Sequence, residues 1–454
     1  MANNAVRMTE GSIPGHIVRF ALPVLMGQLF QQLYNVVDSL VVGNVCGPDA
    51  LASVTSSGSL IFLMVGMLSG IFMGAGVVVS RYWGARDEES VSRAVHTMLA
   101  FGIVAGAAFT IIGTLTTPVI LRWMGTPDEV MPGSVLYFRI YFSGVLTVVL
   151  YNVSNGIFQA VGDSRHPLYF LICSSCINVV LDLLFVAGFG WGVGGAALAT
   201  VISQGVSAFL GLYALSHVTQ AYRIRLSMLR FHPGMLRRIL AMGIPSGVQN
   251  SIISIANIVV QSHVNSFGAM AMAGCGAYAK VEGFGFLPVT SFSMALTTFV
   301  GQNLGAERYD RVKKGACFGV ITCAALAECI GLAIYALIPT LVSAFNATPE
   351  VVHFGTLQAR TVTLFYFLLA FSHGMAGVFR GAGKAVVPMV VMMVCWCIIR
   401  ITYVTLAVPL PPTPETDIRT LFACYPITWS LSSICFILYA WKGKWLPAKE
   451  LRAA

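Results

Sequence analysis

The sequence predicts an all-α polytopic membrane protein of twelve transmembrane helices, arranged as two parallel six-helix repeats. Three observations carry this. The chain of 454 residues is 57% hydrophobic and only 10% charged, against about 25% charged in an ordinary soluble domain, so most of its surface does not face water. Its apolar residues run in stretches long enough to cross a hydrocarbon core of ~30 Å as helices, such as 103–120 with its flanks, 168–186 and 386–408. They lack the period-2 alternation of a membrane β-barrel. Finally, the chain repeats itself at a nearly constant offset.

Taken in order, the expected spans are 17–45, 52–80, 94–120, 134–160, 168–188, 192–216, 238–266, 272–303, 315–345, 353–379, 388–409 and 418–441. The first apolar run is too long for the h-region of a cleavable signal peptide. Loop charges orient the set. With the N-terminus placed in the cytoplasm, the inner segments carry 21 of the 27 lysines and arginines, and the outer loops carry only Arg122 and Arg419. Arg139, Lys280, Arg360 and Arg400 fall within spans. This follows the positive-inside rule and predicts both termini in the cytoplasm of a bacterial cell. It also accounts for the net charge of +9 without a nucleic-acid partner.

At an offset of 221 residues, Gly47 matches Gly268, Gly84 and Ala85 match Gly305 and Ala306, Arg139 matches Arg360, and Gly156, Phe158, Gly162 and Pro167 match Gly377, Phe379, Gly383 and Pro388. Gln28 matches Gln249 at the same offset, while Pro23 pairs with Pro245 after one residue of slippage. The common offset is the signal. Six spans per half is an even number, so both halves enter the membrane from the same side as parallel repeats. The expected organisation is an N-terminal lobe over 1–216, a polar cytoplasmic linker over 217–237 and a C-terminal lobe over 238–454.

Intramembrane ionisable residues are costly and mark a pathway by default. The first span carries Gln28, Gln31, Asn35 and Asp38 on one helical face. The fifth carries Asn178 and, one turn on, Asp182; the sixth carries Thr200. Two carboxylates, an amide oxygen and a hydroxyl form an all-oxygen set that suits a hard cation such as Na+. The pair of acids equally suits a proton, since two carboxyls close together cannot both ionise easily. A purely structural polar cluster is the competing reading. Pro23 removes a backbone hydrogen bond inside the first span and marks it as a hinge. The seventh span repeats the polar stripe with Asn250, Ser254, Asn257 and Gln261, preceded by Gln249; these are expected to line a substrate cavity. Glu282 on the eighth span holds a cationic substrate or forms an ion pair with Lys280 or Arg400. Glu328, among small residues, reads as helix packing, and His373 as a satisfied buried histidine.

Several patterns carry no chemistry. The 11 cysteines lie almost entirely in apolar stretches and read as small hydrophobes. Gly190, Gly192 and Gly195 spell GxGxxG in a turn between membrane helices rather than after a strand. The run Arg380 to Lys384 lacks P-loop spacing, so ATP does not drive the protein directly. The Gly66, Gly70, Gly74 spacing allows close helix packing. No nucleophile–base pair or HExxH motif marks an enzyme.

The opening segment from Phe20 to Val54, the matched phrases SRYWGARD and VGQNLGAERYD, GIFQAVGDSRHP and GVFRGAGKAVVP, and the segments INVVLDLLFV and GVGGAALATVISQ resemble the multidrug and toxic compound extrusion (MATE) family. The resemblance spans nearly the whole chain and favours the DinF-like branch. It implies a two-lobed, MOP-type fold and an antiporter exporting amphipathic, often cationic compounds against inward Na+ or H+ flow. It places the branch's cation site on Asp38, Asn178, Asp182 and Thr200. The family's alternative C-terminal-lobe site needs acids on the seventh and tenth spans. Gln249 and Asn250 stand on the seventh, and no acid lies between Gly355 and Phe379 on the tenth.

The expected activity is therefore rocker-switch antiport with no cofactor beyond the coupling ion. Expected partners are small amphipathic organic molecules and membrane lipid, with the chain acting as a monomer. A lipid-linked saccharide flippase of similar fold is the alternative. Its anionic cargo calls for more cations than Lys280 and Arg400 supply.

Overall fold

The computed structural model describes residues 5–46, 48–123, 126, 128–413, 416–443 and 445–446, with the backbone alone over 36–46 and 48–63. No strand occurs among the described residues. The membrane helices are α1 (Ile13–Cys46), α2 (Pro48–Gly84), α3 (Glu88–Trp123), α4 (Met131–Ser143 with Val145–Ala160), α5 (Arg165–Gly188), α6 (Gly192–His217), α7 (Pro233–Ser266), α8 (Ala269–Gly305), α9 (Tyr309–Ser343), α10 (Pro349–Gly381), α11 (Val386–Ala407) and α12 (Ile418–Trp441). Among the described residues, eleven are long and apolar enough to cross a membrane, and α4 makes a twelfth if its pair of helices, bent by 47°, is one span. Large apolar side chains cover the outside, as with Ile111, Ile112 and Leu115 on α3. Trp123 and Trp441, at helix ends, are each 85% exposed, where aromatic rings anchor a span at the interface.

The bend in α4 falls at Gly144, where Val201 of α6 presses so close that a Cβ would stand 2.4 Å from its Cγ1. The repeat extends to backbone conformation. Arg86 (φ 59°) and Glu307 (φ 56°) adopt the left-handed region at equivalent turns, as do Gly162 (φ 85°) and Gly383 (φ 81°). Among the described residues, two helices contain π-helical stretches, Leu183–Gly188 in α5 and Met393–Ile399 in α11.

The chain forms two compact units that are not contiguous in sequence. The first comprises the short segment ending at Arg7 together with Met26–Gly247; the second comprises Met8–Leu25 and the chain from Val248 onward. The lobes expected at 1–216 and 238–454 thus differ from the units at the starts of α1 and α7. Packing explains the difference. In the first unit, the opening half of α7 lies backbone to backbone on α2: a Cβ on Gly70 would stand 2.6 Å from the Ser246 carbonyl oxygen, and one on Gly247 2.7 Å from that of Met67. In the second, Ile17, Phe20, Ala21 and Val24 of α1 enter the hydrophobic core that holds Phe292, Ala295 and Leu296 of α8. Both helices cross two residues after a proline, Pro23 or Pro245.

The extreme N-terminal segment divides likewise. In the first unit, Val6 donates its N–H to the Val161 carbonyl (3.1 Å), and the Arg7 guanidinium lies 4.8 Å from the Trp83 ring centre. In the second, Met8 N–H donates to Gln302 Oε1 (2.8 Å), while Arg311 donates to the carbonyls of Met8 (3.0 Å) and Gly11 (2.9 Å). The segment expected as a linker, 217–237, belongs to the first unit. It is tied there by Ile224 N–H to the Leu215 carbonyl (3.0 Å) and Arg225 N–H to His96 Nε2 (3.0 Å).

Candidate functional site

In the first unit, α5 and α6 pack antiparallel. Ser207 Oγ donates to the Phe170 carbonyl at 3.2 Å, and Gly195 lies so close to Phe185 that a Cβ would meet its carbonyl oxygen at 3.2 Å. Between those two contacts the antiparallel register sets Thr200 opposite the part of α5 near Asn178. Asp182 is 0% exposed and Asn178 1%. One helical turn apart, they share a face of α5. Asp182 is the last α-helical residue before the π-helical stretch, and such widened turns recur at functional sites. Both polar atoms of the Asn178 amide are buried without a hydrogen-bond partner among the described residues. The Thr200 hydroxyl donates to the Ala196 carbonyl one turn back (3.1 Å), leaving oxygen lone pairs to accept. The side chain of Asp38, the fourth expected member, lies outside the described residues.

The expected cavity residues divide. On α1, Gln31 and Asn35 are exposed and Gln28 half-buried. On α7, Asn250 is half-buried and Asn257 exposed. Gln249 does not line an open surface. It is 2% exposed, and its amide nitrogen stands 2.8 Å from Met392 Sδ, inside the second unit. Its place on α7 turns it into the helix bundle, so the match to Gln28 is one of sequence and not of environment.

The second unit holds a polar cluster of its own. Arg400, 2% exposed, donates to Thr428 Oγ1 (2.9 Å) and Asn257 Oδ1 (3.3 Å). Its guanidinium lies 4.8 Å from the Tyr425 ring centre and 5.5 Å from that of Trp396. Tyr278 donates to Glu282 Oε1 (3.3 Å) and pairs hydroxyl to hydroxyl with Tyr366 (2.8 Å). Neither Lys280 nor Arg400 comes within ion-pair distance of Glu282 among the described residues, so of the two expected alternatives the ion pair does not form, and phenol hydroxyls stand beside the carboxyl. Glu328 does more than fill space. Its Oε2 accepts the Phe367 N–H at 3.0 Å, next to the 3₁₀ turn Thr363–Phe365 that interrupts α10, where a helix leaves a donor unsatisfied.

Sequence reasoning passed over Tyr278, Tyr366 and Thr428, because tyrosine and threonine in an apolar helix read as ordinary core. The spacing of four between Tyr278 and Glu282 was the available signal.

A sequence profile of the MatE family matches the chain twice, over residues 23–184 and 245–406. The chain belongs to the MATE family. The two matches begin at Pro23 and Pro245, the prolines that the internal repeat pairs. The chain is 28% identical over 437 residues to the "Probable multidrug resistance protein YoeA" of Bacillus subtilis (strain 168), covering 94% of this chain and 93% of that one. It is 27% identical over 403 residues to the "Probable multidrug resistance protein YpnP" of the same strain, covering 88% and 90%. A structure described as the outward-facing conformation of a multidrug resistance MATE family transporter of the MOP superfamily superposes with a TM-score of 0.89 at 22% identity, covering 97% of each chain. This MATE protein is thus a multi-span membrane transporter, of the fold expected from its sequence.

Proposed function

We propose that this MATE protein is a secondary active antiporter that exports small amphipathic organic molecules, cationic ones above all, in exchange for Na+ or H+. The relatives named as multidrug resistance proteins support drugs or toxic metabolites as cargo. One observation carries the coupling: Asn178 and Asp182 are fully buried one turn apart at membrane depth, and the amide lacks a hydrogen-bond partner among the described residues. A buried amide in that state is costly unless a ligand completes it, and a desolvated carboxylate demands a cation or a proton. In this reading Asp182, Asn178 and Thr200 hold the coupling ion together with Asp38. The polar faces of α1 and α7, including Gln28, Gln31, Asn35, Asn250 and Asn257, meet the cargo, and Glu282 supplies negative charge. Exchange requires that ion and cargo stabilise different conformations. Rocker-switch alternation about the prolines of α1 and α7 provides two such states. The protein works in the plasma membrane with both termini in the cytoplasm, as the loop charges favour.

The test is transport by the purified protein in liposomes. A pH or Na+ gradient is imposed and movement of a fluorescent organic cation followed. One gradient drives efflux in the wild type, which identifies the ion. Asp182→Asn, checked for folding by gel filtration, abolishes the gradient-driven component. Undiminished gradient-driven transport by Asp182→Asn would refute the site, and dye that leaks only downhill would refute exchange.

A further inference from the structure

Away from the membrane core, the first unit holds a basic pocket that the transport reading does not use. Residues 225–232 form a loop stapled at both ends to neighbouring positions of α3. Arg225 N–H donates to His96 Nε2 (3.0 Å), and His232 N–H to Thr97 Oγ1 (3.4 Å). His96 is 1% exposed, and its Nδ1 donates to the Ser92 carbonyl (2.7 Å), so the ring is a fixed floor. A 3₁₀ turn at Leu226–Met228 shapes the loop. Compact loops with joined ends are frequently functional.

Between this loop and the first turns of α3 lies a cavity of about 250 Å³. A water molecule occupies about 30 Å³, so there is room for a phosphate group and its hydration. Arg93, Arg230, His232, Ser92 and Ser227 face it, with Glu89 as its acid. Glu89 is bridged to Arg93, while Arg230 has no carboxylate partner among the described residues. Arg230 Nε donates to His232 Nε2 (3.3 Å), which assigns the imidazole proton to Nδ1. Burial, and then the charges of Arg230 and Arg93, lower the affinity of His232 for a second proton. The same loop exposes apolar side chains that its fold does not need: Leu226 is 80% exposed, Phe231 45% and Met228 41%.

We propose that this pocket binds the phosphodiester of an anionic phospholipid headgroup, with Leu226, Met228 and Phe231 resting in the adjoining acyl region. The charges select the ligand class. Two guanidiniums against one carboxylate leave a single positive charge, which suits a phosphodiester monoanion better than a phosphate dianion. A choline group finds no acid beyond Glu89, which Arg93 already occupies. Basic side chains beside an anionic leaflet each strengthen binding about five-fold, and the exposed apolar residues favour a ligand that brings acyl chains.

The experiment is native mass spectrometry of the whole protein, titrated with phosphatidylglycerol, phosphatidylcholine or soluble glycerol 3-phosphate. The wild type retains phosphatidylglycerol several-fold more than either alternative. The double variant Arg93→Gln/Arg230→Gln loses that preference. Arg308→Gln/Lys313→Gln, with the same charge change at the start of α9, keeps it. Leu226→Ser/Phe231→Ser weakens lipid retention with the basic residues intact. Equal retention of the two lipids, or an equal loss in Arg93→Gln/Arg230→Gln and Arg308→Gln/Lys313→Gln, overturns the pocket. Glycerol 3-phosphate binding as tightly as the lipid overturns the lipid and leaves a soluble phosphate as occupant.

Discussion

Replacing Gly74 with alanine tests the packing that assigns the start of α7 to the first unit. The added Cβ would lie 2.4 Å from the Met242 carbonyl oxygen and 2.8 Å from Gly243 Cα. Since Cβ contacts under 3.0 Å are essentially never tolerated, the helices must separate by about 0.6 Å at this point. The obstructing atoms belong to backbone, so no rotamer change relieves the clash and half of α7 must shift as a body. Overpacking of this kind costs roughly 1–3 kcal/mol. Gly276 in α8 is the control, because nothing lies within 4 Å of a Cβ there. Alanine at that position gains helix propensity, ~0.5–1 kcal/mol in an ordinary helix interior. Thermal unfolding of the purified proteins in one detergent should place Gly74→Ala several degrees below the wild type and Gly276→Ala level with it or above. If the two variants melt together, the close approach of α2 and α7 is not a determinant of the fold, and the unit boundary at Gly247 loses its physical basis.

Two further substitutions probe other parts of the molecule. Arg400→Ala removes a buried guanidinium that holds Thr428 and Asn257 and stacks on two aromatic rings. It should destabilise by roughly 2–5 kcal/mol, whereas Arg400→Met, which keeps volume and sheds the charge, should cost clearly less by the same melting assay. Asp87 caps α3 by accepting the Ser90 N–H at 3.0 Å. Bonds from the Ser90 side chain and backbone hold its carboxyl below the ordinary value of 3.8. A lowered folded pKa contributes stability above the unfolded pKa and loses it as pH falls through the folded one. The deficit of Asp87→Asn should therefore be constant near neutrality and close only below about pH 4, as read from melting temperature against pH.

The spans were legible because span length and apolar content are local properties. Expected limits such as 192–216 and 418–441 fall within a residue or so of helices α6 and α12. The repeat was legible because two copies place the same glycines at the same strained turns, Gly162 and Gly383 among them. What escaped depends on which surfaces meet. No local signal says that the first turns of α7 belong with α2, since the decisive glycines, Gly70 and Gly243, lie far apart in the chain. The bend falls at Gly144, where Val201 on another helix leaves no room for a side chain. Within the candidate site, the pairing of Asn178 with Asp182 followed from helical spacing alone. The level of Thr200 needed the register between α5 and α6. Glu282 and Arg400 stood out as ions in an apolar setting, yet their partners turned out to be neutral hydroxyls and an amide, which composition does not distinguish from core.

The three crossings of the chain, at Arg7, Leu25 and Gly247, make each half of the polypeptide a lender as well as an owner. Severing the backbone between the repeats would give two fragments, each ending in mismatch: one keeps an arm that completes the other's interior and lacks the arm that completes its own. Such fragments should be competent only when made together, in the manner of protomers that exchange an identical element. The same geometry describes what a single unduplicated copy would have to do, which is to associate with a twin and trade the beginnings of its first helix.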